Sequence, residues 1–256
     1  MSSPHIPDEV PETLDEVRRL EALAFNGWPA LESRDVGGWR LRLSGGYTKR
    51  ANSINALGSN FSTDIGALEA PYRDRGLVPA WRLTPLAPQE IAPLLTDRGY
   101  RAIERSLLQV CPLHERFQAD PAVVVSDTPS PAWIEAFVTH SPVRPEHRET
   151  MQRMLQAIAQ PVGFAFVQHQ GRPMAMAIGA VEGDHMGLFD VLVMPEARRQ
   201  GLAQRVTESL YAWAWERGAR RAYLQVVATN AAAIPLYAAQ GFRTVYTYEY
   251  RVPPTS

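Results

Sequence analysis

Apolar positions repeat along the first half of the chain with two different periods. Helical spacing covers three segments, 14–25, 64–75 and 88–97. Strand-like alternation or short apolar runs cover four others, 38–46, 50–58, 79–85 and 106–112. Gly76 and Gly99 follow the second and third helices, where a glycine commonly ends a helix.

The second half has the same two periods after a polar linker, residues 113–121. Strands are predicted at 122–127, 163–170, 173–183, 187–195, 222–227 and 244–252, with the first of them buried and a hairpin around Gly171. Helices are predicted at 131–139, 145–159, from Gly201 onward, and at 230–240. The order β-α-α-β-β-β-α-β-α-β predicts an α/β fold of the α+β type, a mixed sheet with helices on its faces.

The two halves also share a repeated text. "IAPLLTDRGYR", residues 91–101, resembles "AIPLYAAQGFR", residues 233–243, and the same offset of 142 pairs Trp81 with Tyr223. The match needs no gap over strand, helix, glycine and strand. A constant offset of this kind predicts two copies of one supersecondary unit.

Composition narrows the class of protein. The net charge is −1 over 256 residues, with 45% hydrophobic residues, so neither a nucleic-acid nor a membrane partner is expected. Cys111 is the single cysteine and the 6 histidines lie far apart, so no metal site is expected. Residues 1–12 are polar and lack an apolar signal region, which predicts a disordered lead and a cytoplasmic protein.

The stretch "ARRQGLAQR", residues 197–205, follows an apolar strand and opens an amphipathic helix. Gly201 can adopt a positive φ and lets a ligand approach the backbone closely. The first N–H groups of the helix lack internal partners and, with the helix dipole, favour a phosphate or pyrophosphate. Arg198 and Arg199 can add charge-assisted contacts. A solvated basic helix start is the alternative interpretation.

A wider pattern resembles the GNAT superfamily of acyl-CoA-dependent N-acyltransferases. Arg198, Gly201 and Ala203 match its Gln/Arg-x-x-Gly-x-Gly/Ala motif. Some 30 residues further on, Asn230 and Tyr237, followed by "GF" at 241–242, match a second signature of that superfamily. The resemblance covers about residues 122–252. More loosely, the whole chain is similar to two-lobed bacterial GNAT proteins whose N-terminal lobe is degenerate.

The resemblance implies a role for each matching position. The backbone of Val191, Leu192 and Val193 would pair with the pantetheine arm of acetyl-CoA, and Asn230 would bind the same region. The main-chain amides of the turn and helix start would hold the pyrophosphate; they belong to Arg199, Gln200, Gly201, Leu202, Ala203 and Gln204. Tyr237 would protonate the departing thiolate, and a phenol with a pKa near 10 suits that task. Packing alone for Tyr237, and helix capping for Asn230, are the alternatives.

One position departs from the superfamily pattern. Some members carry a glutamate base in the strand before the asparagine, and Gln225 stands there in this chain. An amide accepts no proton at neutral pH, so another group has to take the proton of the acceptor amine. Asp190, Glu182, His185 and water are the candidates, and none is preferred. Cys111 lies far in sequence from the turn, which argues against an acyl-cysteine intermediate.

The sequence therefore predicts a degenerate GNAT-like lobe over residues 13–115 and a catalytic N-acetyltransferase domain over residues 121–256. The first copy has Leu95 where the second has Tyr237, and it lacks the arginine-glycine turn. Its residues Trp28, Trp39, Tyr47 and Arg50 belong either to a core or to a wall of the acceptor site.

The expected reaction is acetyl transfer from acetyl-CoA to an amine, borne by a small molecule or a protein, in a monomer or homodimer. A CoA-binding sensor without turnover is the alternative. A nucleotide-binding protein is disfavoured because neither the GxxxxGK[ST] nor the GxGxxG phosphate-binding pattern occurs.

Overall fold

The computed structural model describes residues 13–141 and 143–254. The predicted lead, residues 1–12, lies outside the described residues. The helices, in chain order, are α1 Leu14–Gly27, α2 Ile65–Arg73, α3 Ile91–Asp97, α4 Pro131–His140, α5 Arg148–Gln156, α6 Leu202–Trp215 and α7 Ala233–Ala239. The strands are β1 Glu32–Val36, β2 Trp39–Leu43, β3 Ile54–Ala56, β4 Trp81–Leu83, β5 Arg101–Pro112, β6 Val123–Ser126, β7 Val162–His169, β8 Arg172–Glu182, β9 His185–Val193, β10 Arg221–Val227 and β11 Arg243–Val252.

All of these strands join one mixed sheet, which confirms the predicted fold class. The strand order is β1-β2-β3-β4-β11-β5-β10-β9-β8-β7-β6. Only β3 with β4, and β9 with β10, run parallel. In the second half the element order is the one the sequence predicts, and the hairpin turns at Gly171 with φ +77.

The repeat corresponds to matching elements in the two halves. Helices α3 and α7 begin 142 residues apart and end 142 residues apart, and Gly99 and Gly241 follow them with φ +81 and +95. The strands after these helices are exchanged, because β5 pairs with β10 and β11 pairs with β4. In β4 and β11, Trp81 pairs with Arg251. The repeat offset relates Trp81 to Tyr223 and Arg251 to Gln109, and the observed partner of Tyr223 is Val110, one residue from Gln109. The two copies are thus joined through the centre of the sheet.

One sequence expectation about strands is wrong, and one strand was missed. Strand β6 is not buried: it is the edge of the sheet, and Val124 is 46% exposed. Strand β1 was not predicted, because its residues "ESRDV" carry three charges and show no apolar alternation. Charged side chains on an edge strand disfavour pairing with another chain, which accounts for this composition.

Helix ends follow local capping chemistry. Thr13 accepts a hydrogen bond from the N–H of Glu16 at the start of α1, and Asp64 accepts one from Ala67 at the start of α2. Ser130 caps α4, where Pro131 occupies the first turn. Helix α7 is shorter than predicted, since residues 231–232 form a turn before Ala233.

Candidate active site

A split between two parallel strands marks the centre of the candidate site. Strands β9 and β10 pair through four residues, from His185↔Arg221 to Leu188↔Leu224. Beyond this point β10 continues against β5, and β9 continues against β8. The half-buried residues Val191, Leu192 and Val193 therefore lie on a length of β9 that has no strand on its β10 side.

A β-bulge stands at the beginning of that free length. The register between β8 and β9 shifts between Met176↔Leu192 and Ile178↔Phe189. Asp190 lies inside the shift with φ +47, a conformation that aspartate tolerates better than most residues. Bulges redirect side chains. Asp190 therefore lies at the split without a paired residue on β8.

The turn after β9 leaves a run of backbone donors without protein partners. Arg199 has φ +64 and Gly201 has φ +74, and Gly201 is the N-cap of α6. The first backbone hydrogen bond of α6 is donated by the N–H of Arg205 to the carbonyl of Gly201. Among the described residues, none accepts a hydrogen bond from the six consecutive N–H groups of residues 199–204. A helix N-terminus with such free donors is suited to an anionic phosphate.

Side chains around this turn leave its backbone open. Arg198 folds back so that Nε donates to the carbonyl of Val193 at 3.4 Å. Gln200 and Gln204 donate to Glu196 and Glu208, respectively. Leu202 is buried and Ala203 is half-buried, whereas the Arg199 side chain is exposed without a partner in the described chain. Their main-chain N–H groups, rather than these polar side chains, are the free donors of the turn.

Tyr237 lies on α7 and is almost fully buried, at 7% exposure. Its ring meets Phe242 edge-to-face with 5.7 Å between ring centroids. Burial raises the pKa of Tyr237 to about 12, and the negative charge of Asp190 adds to the shift. The phenol is therefore protonated at neutral pH. Asn230 is exposed, and its Oδ1 accepts a hydrogen bond from the N–H of Ala233, so it caps the turn before α7.

The two halves of the chain meet at Asp190. Nη2 of Arg50 donates to Oδ1 of Asp190 at 3.0 Å. Burial raises the pKa of Asp190, while the adjacent Arg50 charge opposes that rise. The Arg50 guanidinium lies over Trp28, which stacks on Phe189 with 5.8 Å between ring centroids.

The other aromatic residues singled out from the sequence divide between site and core. Tyr47 is buried close enough to the ion pair that the Asp190 charge, after burial itself, raises its pKa. Its ring is 6.0 Å from that of His147. Trp39 instead contacts Trp81 and Phe61 in the core of the first half.

Two of the sequence-derived candidates for a base lie near the start of β9, at the opposite end of that strand from the turn before α6. His185 begins β9 and Val193 ends it, which at about 3.3 Å per residue separates them by roughly 25 Å. Glu182 binds Asn26 at 3.1 Å, and His185 binds Asp184 at 2.8 Å. Gln225 adjoins the split, and its Oε1 accepts a hydrogen bond from the Tyr248 hydroxyl at 2.8 Å.

Sequence reasoning missed a buried polar cluster beside Gln225. Glu21 of α1 and Arg82 of β4 form an ion pair through both guanidinium Nη atoms, and Tyr246 donates to Glu21 at 2.5 Å. Arg42 of β2 is equally buried. The available signal was the position of Glu21 on the apolar face of α1, next to Leu20 and four residues after Val17.

Over the described ranges, no group of three or more His, Cys, Asp or Glu side chains is placed to hold a metal ion. A helix both long and apolar enough to cross a membrane is likewise not found in residues 13–141 and 143–254.

Comparison with known proteins gives one family match over most of the chain. The family model described as "Probable histone acetyltransferase Rv0428c C-terminal" matches residues 14–251. The "Uncharacterized N-acetyltransferase YobR" of Bacillus subtilis (strain 168) is 28% identical over 252 residues, which cover 93% of this chain and 99% of that protein.

Solved structures show the same fold at low identity. A "GCN5-related N-acetyltransferase from Kribbella flavida" superposes with a TM-score of 0.65 at 16% identity, over 93% of this chain and 96% of that one. A "Tandem GNAT protein from the clavulanic acid biosynthesis pathway (without AcCoA)" gives a TM-score of 0.59 at 11% identity, over 98% of this chain and 91% of that one.

Proposed function

The chain belongs to the Rv0428c C-terminal acetyltransferase family and is an acyl-CoA N-acyltransferase of the GNAT superfamily, and from this premise we propose that it transfers the acetyl group of acetyl-CoA to an amine. The observation that carries the proposal is the run of six unpartnered N–H groups, residues 199–204, next to the open edge of β9. A diphosphate ester attached to an extended amide-containing arm fits this pair of features.

The pyrophosphate and the pantetheine arm of acetyl-CoA then each have a partner in the chain. The pyrophosphate binds the amides of residues 199–204, and the arginines 198 and 199 add positive charge. The pantetheine arm binds the free edge of β9 at Val191, Leu192 and Val193, where it acts as an added strand. The exposed Nδ2 of Asn230 has no partner among the described residues and is available to the same arm.

The chemical step is a direct attack of the amine on the thioester carbonyl. A backbone N–H near Val193 stabilises the oxyanion of the tetrahedral intermediate. When the C–S bond breaks, Tyr237 donates its proton to the thiolate. Asp190 accepts the proton of the attacking amine, because its Oδ2 has no hydrogen-bond partner among the described residues and its burial favours protonation.

One observation favours a second candidate function, a CoA-binding sensor without turnover. Gln225 occupies the position where some GNAT enzymes have a glutamate base, and it is held by Tyr248 rather than free. The presence of a buried phenol at Tyr237 weighs against this candidate, because binding CoA needs no proton donor.

Release of free CoA separates the two candidates. Acetyl-CoA is incubated with the chain and with a panel of amines that includes amino acids, polyamines and peptides with free N-termini or lysines. We expect CoA release that depends on one class of amine, with the acetylated product detected by mass spectrometry. Tight acetyl-CoA binding without release for any amine would support the sensor.

We also propose that residues 13–115 form a non-catalytic lobe and residues 121–256 the catalytic one. The support is that Leu95 replaces the proton donor in the first copy, and that the arginine-glycine turn has no counterpart there. In this proposal the first lobe walls the acceptor site through Trp28, Tyr47 and Arg50.

A further inference from the structure

A small cavity adjoins the split on the side of the first half. Its volume is about 10 Å³, the space that one oxygen-sized atom needs. The lining residues are Ala24, Phe25, Arg42, Arg50, Arg82 and Gln225. Two of them reach the split itself, since Gln225 is the first β10 residue beyond the pairing with β9, and Arg50 binds Asp190.

The polar atoms of this lining that remain free are donors. The hydrogen-bond acceptors are in use: the carbonyl of Ala24 accepts from the N–H of Trp28, that of Phe25 accepts from Arg42, and Oε1 of Gln225 accepts from Tyr248. The Nε atoms of Arg42 and Arg82 are buried and have no partner among the described residues. Arg50 donates through Nη2 alone among the described residues. A ligand for such a cavity has to bring an acceptor.

The charges around the cavity point to an anionic acceptor. Glu21 pairs with Arg82 and Asp190 pairs with Arg50, whereas the partners of Arg42 are three carbonyls, those of Phe25, Trp28 and Arg50. The C-terminal end of α1 supplies part of a negative charge to Arg42, but no carboxylate. Burial, aided by the Arg82 charge, lowers the pKa of Arg42 to about 9. The three guanidinium groups thus carry one positive charge more than the two carboxylates balance.

An anionic oxygen in the cavity would satisfy free N–H donors and balance the excess charge. Both effects are large at a buried site, where an unpaired cation is costly and charge-assisted hydrogen bonds are strong. A carboxylate fits better than a larger anion, because one of its oxygens fills the cavity while the other meets the 23% exposed side chain of Arg50. The lysine-rich tail of a basic protein does not fit, since its charge has the same sign as the lining.

We propose that the acceptor amine is an aminocarboxylate, a small molecule of the amino-acid class, whose carboxylate binds Arg42, Arg50 and Arg82 while its amine faces the thioester. This inference rests on the proposed acetyltransferase function. It adds the substrate class and gives the N-terminal half a part in choosing the acceptor.

The test compares matched acceptors with and without the carboxylate charge. Because amidation also lowers the pKa of the α-amine, kcat/KM is expressed per unprotonated amine. Each common L-amino acid is assayed for CoA release beside its carboxamide, and a lysine-rich peptide is included. We expect at least one amino acid to be acetylated, with kcat/KM for its carboxamide lower by about 10- to 100-fold, the range of a hydrogen bond to a charged group. A carboxamide or the peptide reacting as well as every acid would overturn the inference and leave the acetyltransferase function in place.

Binding provides a readout that does not depend on turnover. The same acids and carboxamides are titrated by calorimetry into the chain saturated with CoA. An acid that binds more tightly than its amide, without CoA release from acetyl-CoA, contradicts the transferase function and leaves the anionic subsite. Equal or undetectable binding of all acids and amides, without turnover, overturns both. If chloride binds but does not weaken the binding of any acid, the site holds a free anion only, and this result also overturns the inference.

Two variants locate the effect. Arg50→Gln should lower kcat/KM for the acid by about 10-fold or more beyond its effect on the carboxamide, so the acid preference collapses. Because Arg50 also binds Asp190, its effect on that carboxylate is common to both acceptors and cancels in the acid-to-carboxamide ratio. Arg40→Gln is the matched control, because Arg40 lies on the same strand as Arg42 and also stacks on Phe25, but pairs with the exposed Asp35. A merely structural role of Arg50 would slow both acceptors equally, and that result would refute its part in recognition.

Discussion

At the scale of single residues, the phenol of Tyr237 gives the sharpest test of the proposed chemistry. Tyr237→Phe removes the proton donor but keeps the edge-to-face contact with Phe242. We expect kcat to fall by about 10²–10⁴-fold, as for the loss of a positioned acid, with the acetyl-CoA dissociation constant nearly unchanged. Steady-state kinetics and calorimetry measure the two quantities. A kcat within about twofold of the parent would mean that Tyr237 only packs.

Asp190 is tested by an isosteric change. Asn tolerates a positive φ as Asp does, so Asp190→Asn should keep the bulge at φ +47 while removing the proton acceptor. We expect a loss in kcat of about 10²–10⁴-fold. Glu182→Gln serves as the control, because Glu182 lies near the far end of β9 and binds Asn26. Equal effects of the two substitutions would contradict the assignment of Asp190.

At the scale of elements, the turn before α6 can be separated from the helix itself. Gly201→Val places a β-branched residue at φ +74, where it is strained although the space around it is open. We expect the altered turn to abolish measurable acetyl-CoA binding and to reduce the free energy of unfolding by about 1 kcal/mol or more. Calorimetry and chemical unfolding record the two effects.

The other end of α6 provides a matched control. Gly218 has φ +90 and equally open surroundings, so Gly218→Val should carry a similar strain without touching the turn. Acetyl-CoA affinity should survive this substitution. If both variants lose the cofactor, the loss comes from general destabilisation, and if neither does, the turn does not hold the pyrophosphate.

Elements were also the level at which the sequence was most informative. Helical spacing and glycine positions predicted α3, α7 and the hairpin at Gly171, because those signals are local. The Arg198–Gly201–Ala203 motif located the turn with unpartnered amides for the same reason. The exchange of β5 and β11 was not predictable, since strand partners 100 residues and more apart leave no local pattern.

The acceptor side of the site escaped prediction for a related physical reason. Arg50 and Asp190 are 140 residues apart, and their contact depends on how the two halves join. The alternating pattern of β2 predicts that Arg42 faces outward. In the structure Arg42 is instead buried under the end of α1. Such positions are set by tertiary packing, which composition and periodicity do not encode.

At the scale of the whole molecule, buried tyrosines determine the response to alkali. Burial raises the pKa of eight tyrosines above their ordinary value near 10, namely Tyr47, Tyr72, Tyr100, Tyr211, Tyr223, Tyr237, Tyr246 and Tyr250. Above pH 10 the unfolded chain loses these protons while the folded chain keeps them. Stability from this source is therefore complete below pH 10 and is lost as the pH rises through the folded pKa values.

We expect the free energy of unfolding to fall steeply above about pH 10, and the tyrosinate absorbance to appear together with loss of the fold. Arg42 acts in the opposite direction between its folded pKa of about 9 and its unfolded value, but it is one group against eight. The measurement is chemical unfolding at a series of pH values with parallel absorbance titration. Ionisation of most of these eight tyrosines in the folded chain near pH 10 would contradict this expectation.

One chain is expected to hold a single cofactor, although its sequence carries a repeat. The repeat gives two strand–helix–glycine–strand units, and exchanged strands join them in one sheet. Cofactor binding needs free helix N–H donors behind a glycine turn, and α2 instead begins with Asp64, whose carboxylate accepts the N–H of Ala67. A negative side chain at that helix start repels a phosphate.

We therefore expect calorimetry to saturate at one acetyl-CoA per chain. Leu95→Tyr, which restores a phenol to the first copy, should create no second activity, because no phosphate turn accompanies it. Leu95 is fully buried, so the folded state of the variant is checked first by circular dichroism. Asp64→Asn, which removes the charge and keeps the cap, is the stronger challenge, and the stoichiometry should remain one because the arginine-glycine turn is still missing. Saturation at two cofactors in the parent chain would refute the assignment of a non-catalytic first lobe.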